Sequence, residues 1–234
     1  MNRTKIDWAD YTWNPVWGCR NNCPYCYARA TANRWGLSFE PHWREKNFLR
    51  AMPKEPSRIF VNSMSEIAYW KREWWERVIA RIKENGDQTF LFLTKTPEIY
   101  YEHFLPENCW LGVTVTAPGH FDQYQDAMRY FPNLCFISYE PMLEQVAPGL
   151  VDESIGWVIL GAETGNRKER VIPPSDWIEP FLELPIPLYM KRNLPWNGPW
   201  RKEFPPECVP WRRSPDGEWR WALETARPAG EFMG

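Results

Sequence analysis

From residue 57 onward the chain alternates between nearly continuous apolar runs and segments whose large apolar side chains recur every three or four residues. The runs are 57–62, 88–95, 109–116, 134–140, 157–165 and 187–191. Strands buried on both faces read as unbroken apolar runs, so each predicts a strand of a parallel sheet covered by helices. Trp70, Trp74, Val78, Ile79 and Ile82 share one face of a helix after the first run. Further helices are predicted over 97–104, with a proline at its start, over 122–131, with Tyr124, Met128 and Phe131 on one side, and over 175–184.

The first 56 residues are less regular. The stretch 12–17 makes a poor first strand because Pro15 interrupts it, and 24–35 has good helix formers that close at Gly36. Residues 37–58 read as a mildly basic, solvated loop, with a lid or substrate-contacting insertion as the alternative. Strands alternating with helices give an α/β fold, either an open doubly wound sheet or a full or partial TIM-like (β/α)6-type barrel. Residues 1–191 are expected to form this domain, and 192–234 a Trp/Pro/Arg-rich extension packed on it.

Composition narrows the classes. With 234 residues and a net charge of −2, the whole chain has no electrostatic footprint for coating nucleic acid. No apolar run approaches a membrane span, and the N-terminus lacks the apolar core of a signal peptide; the expected location is cytoplasmic, with no membrane partner. The chain has 16 Trp and 23 Pro. Beyond Lys191, Trp196, Trp200, Trp211, Trp219 and Trp221 interleave with arginines without a period. Packing across the barrel is the expected role, and a base-stacking surface the alternative.

Three of the six cysteines stand in Asn14-Pro-Val-Trp-Gly-Cys19-Arg-Asn-Asn-Cys23-Pro-Tyr-Cys26-Tyr-Ala28. Such short spacings point to metal or cluster ligation rather than disulfides in a reducing compartment. Structural zinc wants four ligands. A fourth would have to come from Cys109, Cys135, Cys208, His42, His103 or His120, none of which forms a second knuckle. A cubane held by three thiolates leaves one iron open for a ligand, which makes three a sufficient number. Cys26 is placed on the first turn of the following helix, where the dipole favours an anion.

The C-x3-C-x2-C loop with Tyr25 before its last cysteine resembles the cluster loop of the radical S-adenosylmethionine superfamily. Its surroundings, Asn14-Pro15, Gly18-Cys19 and Tyr25-Cys26-Tyr27-Ala28-Arg29, are similar to those of the spore photoproduct lyase-like branch. From about Trp13 to Lys191 the chain resembles the phage-associated three-Cys-motif radical-SAM-like proteins, whose function is unknown. The resemblance implies a partial (β/α)6-type barrel and a 4Fe-4S cluster on Cys19, Cys23 and Cys26. It also implies S-adenosyl-L-methionine chelated by the open iron and a flavodoxin- or ferredoxin-like electron donor. One-electron cleavage of the sulfonium would then start radical chemistry on an unidentified substrate, with a nucleic acid or nucleotide favoured by the analogy.

The carboxyl ends of parallel strands build the active sites of such folds, and here they carry polar residues in successive units. Ser63, Glu66, Thr114, Thr116, Ser138, Gly161 and Glu163 are the candidate cofactor-binding set, and Lys95, Glu140 and Lys191 the candidate catalytic set. By the resemblance Glu66 stands where the superfamily has a Gly-Gly-Glu turn, although Ser63-Met64-Ser65 supplies no glycine pair. Gly161-Ala-Glu163 is similar to a late-strand motif that lets backbone approach the adenosyl group. Lys95 and Lys191 suit an anionic group, and Glu140 and Glu163 are either proton carriers or their ion-pair partners. The rival class is a non-catalytic zinc- or iron–sulfur-binding module that contacts nucleic acid or protein. A third is a barrel that keeps the cluster but has lost cofactor cleavage.

Overall fold

The computed structural model describes residues 1–118, 124, 128, 131–148, 151, 154–165, 167–206, 211–213 and 219–221. In chain order the N-terminal part holds β1 (Asn2–Arg3), β2 (Tyr11–Thr12), β3 (Val16–Trp17), α1 (Tyr27–Arg34), β4 (His42–Trp43) and α2 (Glu45–Phe48). There follow β5 (Arg58–Phe60), α3 (Arg72–Lys83), β6 (Thr89–Thr94), β7 (Cys109–Val115), β8 (Cys135–Tyr139), β9 (Ile155–Leu160) and β10 (Leu188–Met190). The fold is a mixed α/β arrangement around an eight-stranded sheet, ordered β1-β2-β5-β6-β7-β8-β9-β10. Only the β1–β2 pairing is antiparallel.

Alternation along the strands divides the core. Phe60, Leu91, Trp110, Phe136, Trp157 and Tyr189 pack together on one face of the sheet, with Trp8 among them. Their chain neighbours Ile59, Phe90, Leu111, Ile137, Val158 and Leu188 pack on the other face, against Trp74, Trp75, Val78 and Ile82 of α3. Burying each such α3 side chain contributes about 1.5–3 kcal/mol. Phe60 near one end of the sheet and Tyr189 at the other share one cluster, so the sheet is curled, compatible with a partial α/β barrel. Trp8 fills the curl, its ring 4.8 Å from Phe60 and 6.3 Å from both Phe136 and Trp157. The Tyr189 hydroxyl donates to the Asp7 carbonyl at 3.0 Å and ties the lead-in to β10. Gly112 is required here, because a Cβ would stand 2.2 Å from the Phe136 ring.

Several local expectations change. Pro15 separates two short strands in different sheets, since β2 pairs with β5 and β3 pairs antiparallel with β4. Residues 37–58 are therefore not a bare loop. The helices expected over 97–104 and 175–184 are 3₁₀ turns at Pro97–Glu102 and a helical turn Ser175–Ile178 continued by 3₁₀ structure over Glu179–Glu183. Pro180 lacks the N–H that would continue an α-helical ladder there. Of the helix expected over 122–131, Tyr124 and Met128 are helical and buried, and most of the rest lies outside the described residues.

Past β10 the chain turns back along that strand. Met190 N–H donates to Arg201 O at 2.9 Å and Glu203 N–H to Leu188 O at 3.0 Å, which covers the free edge of β10. Phe204 packs on Trp157 and Tyr189. Beyond residue 206 only the backbone pair β11 (Trp211–Arg213) and β12 (Trp219–Trp221) is described, so the expected packing of their tryptophans and the base-stacking alternative, like Cys208 and His120, lie outside the described side chains. Among the described residues no helix is long and apolar enough to cross a membrane.

Candidate active site

The cysteine loop is pinned to the end of β5 by short polar side chains. Asn14 Oδ1 accepts from Met64 N–H at 3.0 Å, and its amide exchanges hydrogen bonds with Ser63 Oγ. Gly18 N–H donates to Met64 O at 3.0 Å, and Cys19 N–H to Phe39 O at 2.9 Å. The loop thus runs between the β5 exit and the segment before β4. Gly18 has φ 102°, a conformation that favours glycine. Arg29 reaches back from α1 to the carbonyls of Cys19 (2.7 Å) and Asn21 (2.9 Å), and the Tyr69 hydroxyl donates to Asn21 Oδ1 at 2.6 Å.

Cys26 caps α1 rather than lying within its first turn, and its Sγ accepts from Arg29 N–H at 3.4 Å. A Schellman arrangement ends the helix, with Leu37 N–H on Ala32 O, Gly36 N–H on Asn33 O and Gly36 at φ 61°. Cys19 Sγ accepts from Asn21 N–H at 3.3 Å. Burial pushes the Cys19 thiol up to about 12, with Glu66 and the other two thiols adding to the push.

All three cysteines line one cavity of about 230 Å³ at the carboxyl ends of the strands. Glu66, Lys95, Thr114, Ser138, Glu140, Glu163 and Lys191 line it too, at or beyond the exits of β5, β6, β7, β8 (Ser138 and Glu140), β9 and β10 in turn. Its apolar wall includes Ile6, Trp8, Phe39, Phe60 and Leu93.

The candidates differ in how their polar atoms are spent. Glu66 is buried and accepts from the Thr94 hydroxyl, from Lys95 N–H (3.1 Å) and from Ala68 N–H (3.3 Å). Burial raises its carboxyl above the usual range despite those donors. Glu140 pairs with Lys191. Glu163 does not pair with a lysine, because Arg167 grips both its oxygens at 2.7 Å and holds it below the usual range. Lys95 has no carboxylate in ion-pair range among the described residues; its ammonium lies 5.5 Å from the Tyr25 ring centre, and burial lowers it. Ser138 Oγ is fully buried and has no hydrogen-bond partner among the described residues.

Ser63 lines the cavity but serves as a spacer, its Oγ on Asn14 and its carbonyl on the Tyr27 hydroxyl at 2.6 Å. Thr116 is hydrogen-bonded to the Tyr25 side chain. Gly161 is not among the cavity-lining residues, and the space where its Cβ would stand is filled by Glu140, whose Cδ and Cγ are 2.9 Å away. The close approach expected at that glycine is therefore made by a neighbouring side chain. Cys109 and Cys135 belong to the opposite face of the sheet. Among the described residues no three His, Cys, Asp or Glu side chains converge on a single metal ion. A cubane spreads its thiolates over separate irons, so its three ligands need not meet at a point.

Trp8, Asn62 and Arg167 were not singled out by sequence, and Arg29 only as a member of the cysteine-loop motif. Asn62 bridges two strands, donating to Leu93 O at 2.6 Å and accepting from Leu93 N–H at 3.1 Å. Arg167 had a signal in its acid–base spacing of four from Glu163; Trp8, in an irregular lead-in, had none.

A mutant of spore photoproduct lyase is a solved structure similar to this chain, at 17% identity and a TM-score of 0.49, over 60% of this chain and 48% of its own. The chain thus spans about half the length of that structure. No curated protein matches the chain. Residues 3–183 match the family model described as "Protein of unknown function (DUF5131)", and the chain belongs to that family.

Proposed function

We propose that this chain is a radical S-adenosylmethionine-type enzyme, with residues 1–191 carrying the site and the residues after Lys191 packed against it. The observation that carries the reading is the opening of three loop thiols, Cys19, Cys23 and Cys26, onto one strand-end cavity that also holds polar groups without protein partners. The residues fit the implied groups. Three thiols suit a 4Fe-4S cluster with one open iron. A Ser138 hydroxyl with no hydrogen-bond partner and a Lys95 ammonium with no ion pair among the described residues suit a ligand carrying a carboxylate and hydroxyls. When bound, the cluster supplies the electron that splits the sulfonium and so starts hydrogen abstraction from a substrate.

The chain's own part is positioning and exclusion. Asn14, Gly18 and Arg29 hold the loop that presents the thiols. Thr114, Ser138 and Lys95 orient the cofactor's polar groups, and Glu66, fixed by Thr94 and the Lys95 N–H, stands beside them. The Glu140–Lys191 pair keeps charge compensated at the substrate side and can pass a proton between carboxylate and amine. Ile6, Trp8, Phe39, Phe60 and Leu93 keep water from the reacting atoms.

The test is the electron paramagnetic resonance spectrum of anaerobically reconstituted, dithionite-reduced protein, with and without S-adenosylmethionine. A cubane signal that changes on adding the cofactor is expected, and it should vanish in Cys19→Ala, Cys23→Ala and Cys26→Ala. Stoichiometric zinc, or a cubane indifferent to the cofactor, would instead make the loop a structural clasp.

A further inference from the structure

Lys95 leaves β6 with its backbone fastened on both sides. Its N–H donates to Glu66 Oε2 at 3.1 Å, and its carbonyl accepts from the Tyr124 hydroxyl at 2.9 Å. From there the side chain lines the strand-end cavity together with Cys19, Cys23 and Cys26, its ammonium 5.5 Å from the centre of the Tyr25 ring. Tyr25 stands between Cys23 and Cys26 in the loop, and its side chain is hydrogen-bonded to Cys23 as well as to Thr116. All three thiols lie within electrostatic reach of the ammonium, and Cys23 acts on it most strongly.

Other cations near the loop are already engaged. Lys191, which also lines the cavity, is neutralised by Glu140, and Arg29 gives its guanidinium to the carbonyls of Cys19 and Asn21. Among the described residues Lys95 has no carboxylate in ion-pair range; Glu66, whose charge does act on it, is held by the Thr94 hydroxyl and by the N–H groups of Lys95 and Ala68. Burying an ammonium without a counter-charge is costly, and burial lowers the proton affinity of this one. A cofactor carboxylate would offset that cost only while bound. Thiolates and a cluster held on them would offset it at all times.

We propose that Lys95 is the fixed charge that raises the reduction potential of a cluster held by Cys19, Cys23 and Cys26, with or without the cofactor bound. The inference rests on the cluster reading above and gives Lys95 a task separate from orienting the cofactor. A three-thiolate cubane becomes one charge more negative when it takes up an electron, and net charge is one of the levers on its potential. A cation held by β6 across the same cavity stabilises the reduced level more than the oxidised one. The wall of Ile6, Trp8, Phe39, Phe60 and Leu93 keeps the attraction from being screened. Lys95 changes only the energy at which one electron is accepted; no bond forms or breaks and no proton is transferred.

The test is a redox titration of the reconstituted full chain without S-adenosylmethionine, with dithionite as the electron source and the reduced cubane followed by electron paramagnetic resonance. Lys95→Met keeps the apolar stem and removes the charge. Its midpoint should fall by about 59 mV, which is a one-electron reduction about tenfold less favourable. Lys95→Gln should give the same fall and serves if the methionine variant does not assemble. Lys95→Arg keeps a cation and should recover most of the loss, and Arg72→Gln, which removes an exposed charge on α3, should leave the midpoint where it was. Iron content equal to wild type shows that assembly is intact. An unmoved midpoint in Lys95→Met and Lys95→Gln, with only their affinity for S-adenosylmethionine reduced, would make Lys95 a cofactor ligand and overturn the proposal. So would an equal fall in Lys95→Arg, which would trace the effect to packing rather than charge. Absence of any cubane signal in wild type would remove the cluster reading itself, and the proposal with it, whereas a cubane with an unmoved midpoint removes the proposal and leaves that reading in place.

Discussion

Gly18 lies against the backbone of Glu40 so closely that a Cβ would stand 2.3 Å from the Glu40 carbonyl oxygen and 2.4 Å from its carbon. Neither atom can swing aside as a flexible side chain would, and the φ of 102° adds strain for any L side chain. The contact fixes the step immediately before Cys19. Gly18→Ala should cost about 2–4 kcal/mol, the sum of left-handed backbone strain and overpacking. Urea unfolding measures that loss. Iron retained after anaerobic reconstitution should fall with it, because the loop must move to relieve the clash.

Ser138 gives a prediction with opposite signs in two assays. Its hydroxyl is fully buried and unpartnered, which costs the ligand-free fold an unmet hydrogen bond. Ser138→Ala should leave the ligand-free protein as stable or up to about 1 kcal/mol more so. If the hydroxyl meets the cofactor, affinity for S-adenosylmethionine should drop about five- to tenfold in the same variant. A purely structural serine would move neither measurement in that combination.

The sheet was legible in the sequence because strands buried on both faces leave unbroken apolar runs: five of the six runs from residue 57 contain a strand, and the sixth, 157–165, overlaps β9, which starts two residues earlier. The polar strand ends were legible for the same reason, since Thr114, Ser138 and Glu140 break those runs at their exits. What escaped was tertiary pairing. The spacing of four hints at Glu163 with Arg167, but nothing local says that Glu140 takes Lys191 rather than Lys95, because both lysines have the same strand-end position. The side chain that stands beside Gly161 was not legible either, for Glu140 comes from an adjacent strand. Cys26 moved from the first helical turn to the cap because helix ends are set by which side chain accepts the first free N–H.

Glu163 should make stability depend on pH in one direction. The Arg167 side chain holds its carboxyl below the ordinary 4.5, outweighing burial, with the Val171 N–H assisting. A carboxyl more acidic in the folded than in the unfolded chain contributes stability fully above the unfolded value, and loses it as pH falls through the folded one. Glu163→Gln should therefore be less stable than wild type near neutral pH. The gap should narrow as pH is lowered from above the unfolded value through the lower folded one, where wild type also becomes neutral. Urea midpoints at the two ends of that range check the sign; a gap that widens with acid would refute it.

Arg201 carries the return segment that covers β10. Its Nη1 donates to Leu182 O (2.7 Å) and Leu184 O (3.0 Å), and its Nη2 to Ile186 O (2.9 Å) and Glu203 Oε2 (2.7 Å). Glu203 in turn accepts from Leu188 N–H at 3.1 Å, and its carbonyl accepts from the Trp157 indole at 3.0 Å. One guanidinium thus satisfies the carbonyls at the end of the Glu179–Glu183 turn and fixes the carboxylate that meets the first residue of β10. Arg201→Ala leaves those carbonyls unpaired and should cost about 2–4 kcal/mol. Arg201→Lys keeps the charge but not the fork, so it should recover less than half of the loss. Hydrogen exchange supplies the local readout: the Met190 and Glu203 amides should lose protection first, since their bonds join the return segment to β10. Protection lost evenly across the sheet would show instead that the segment is fastened by Phe204 packing rather than by Arg201.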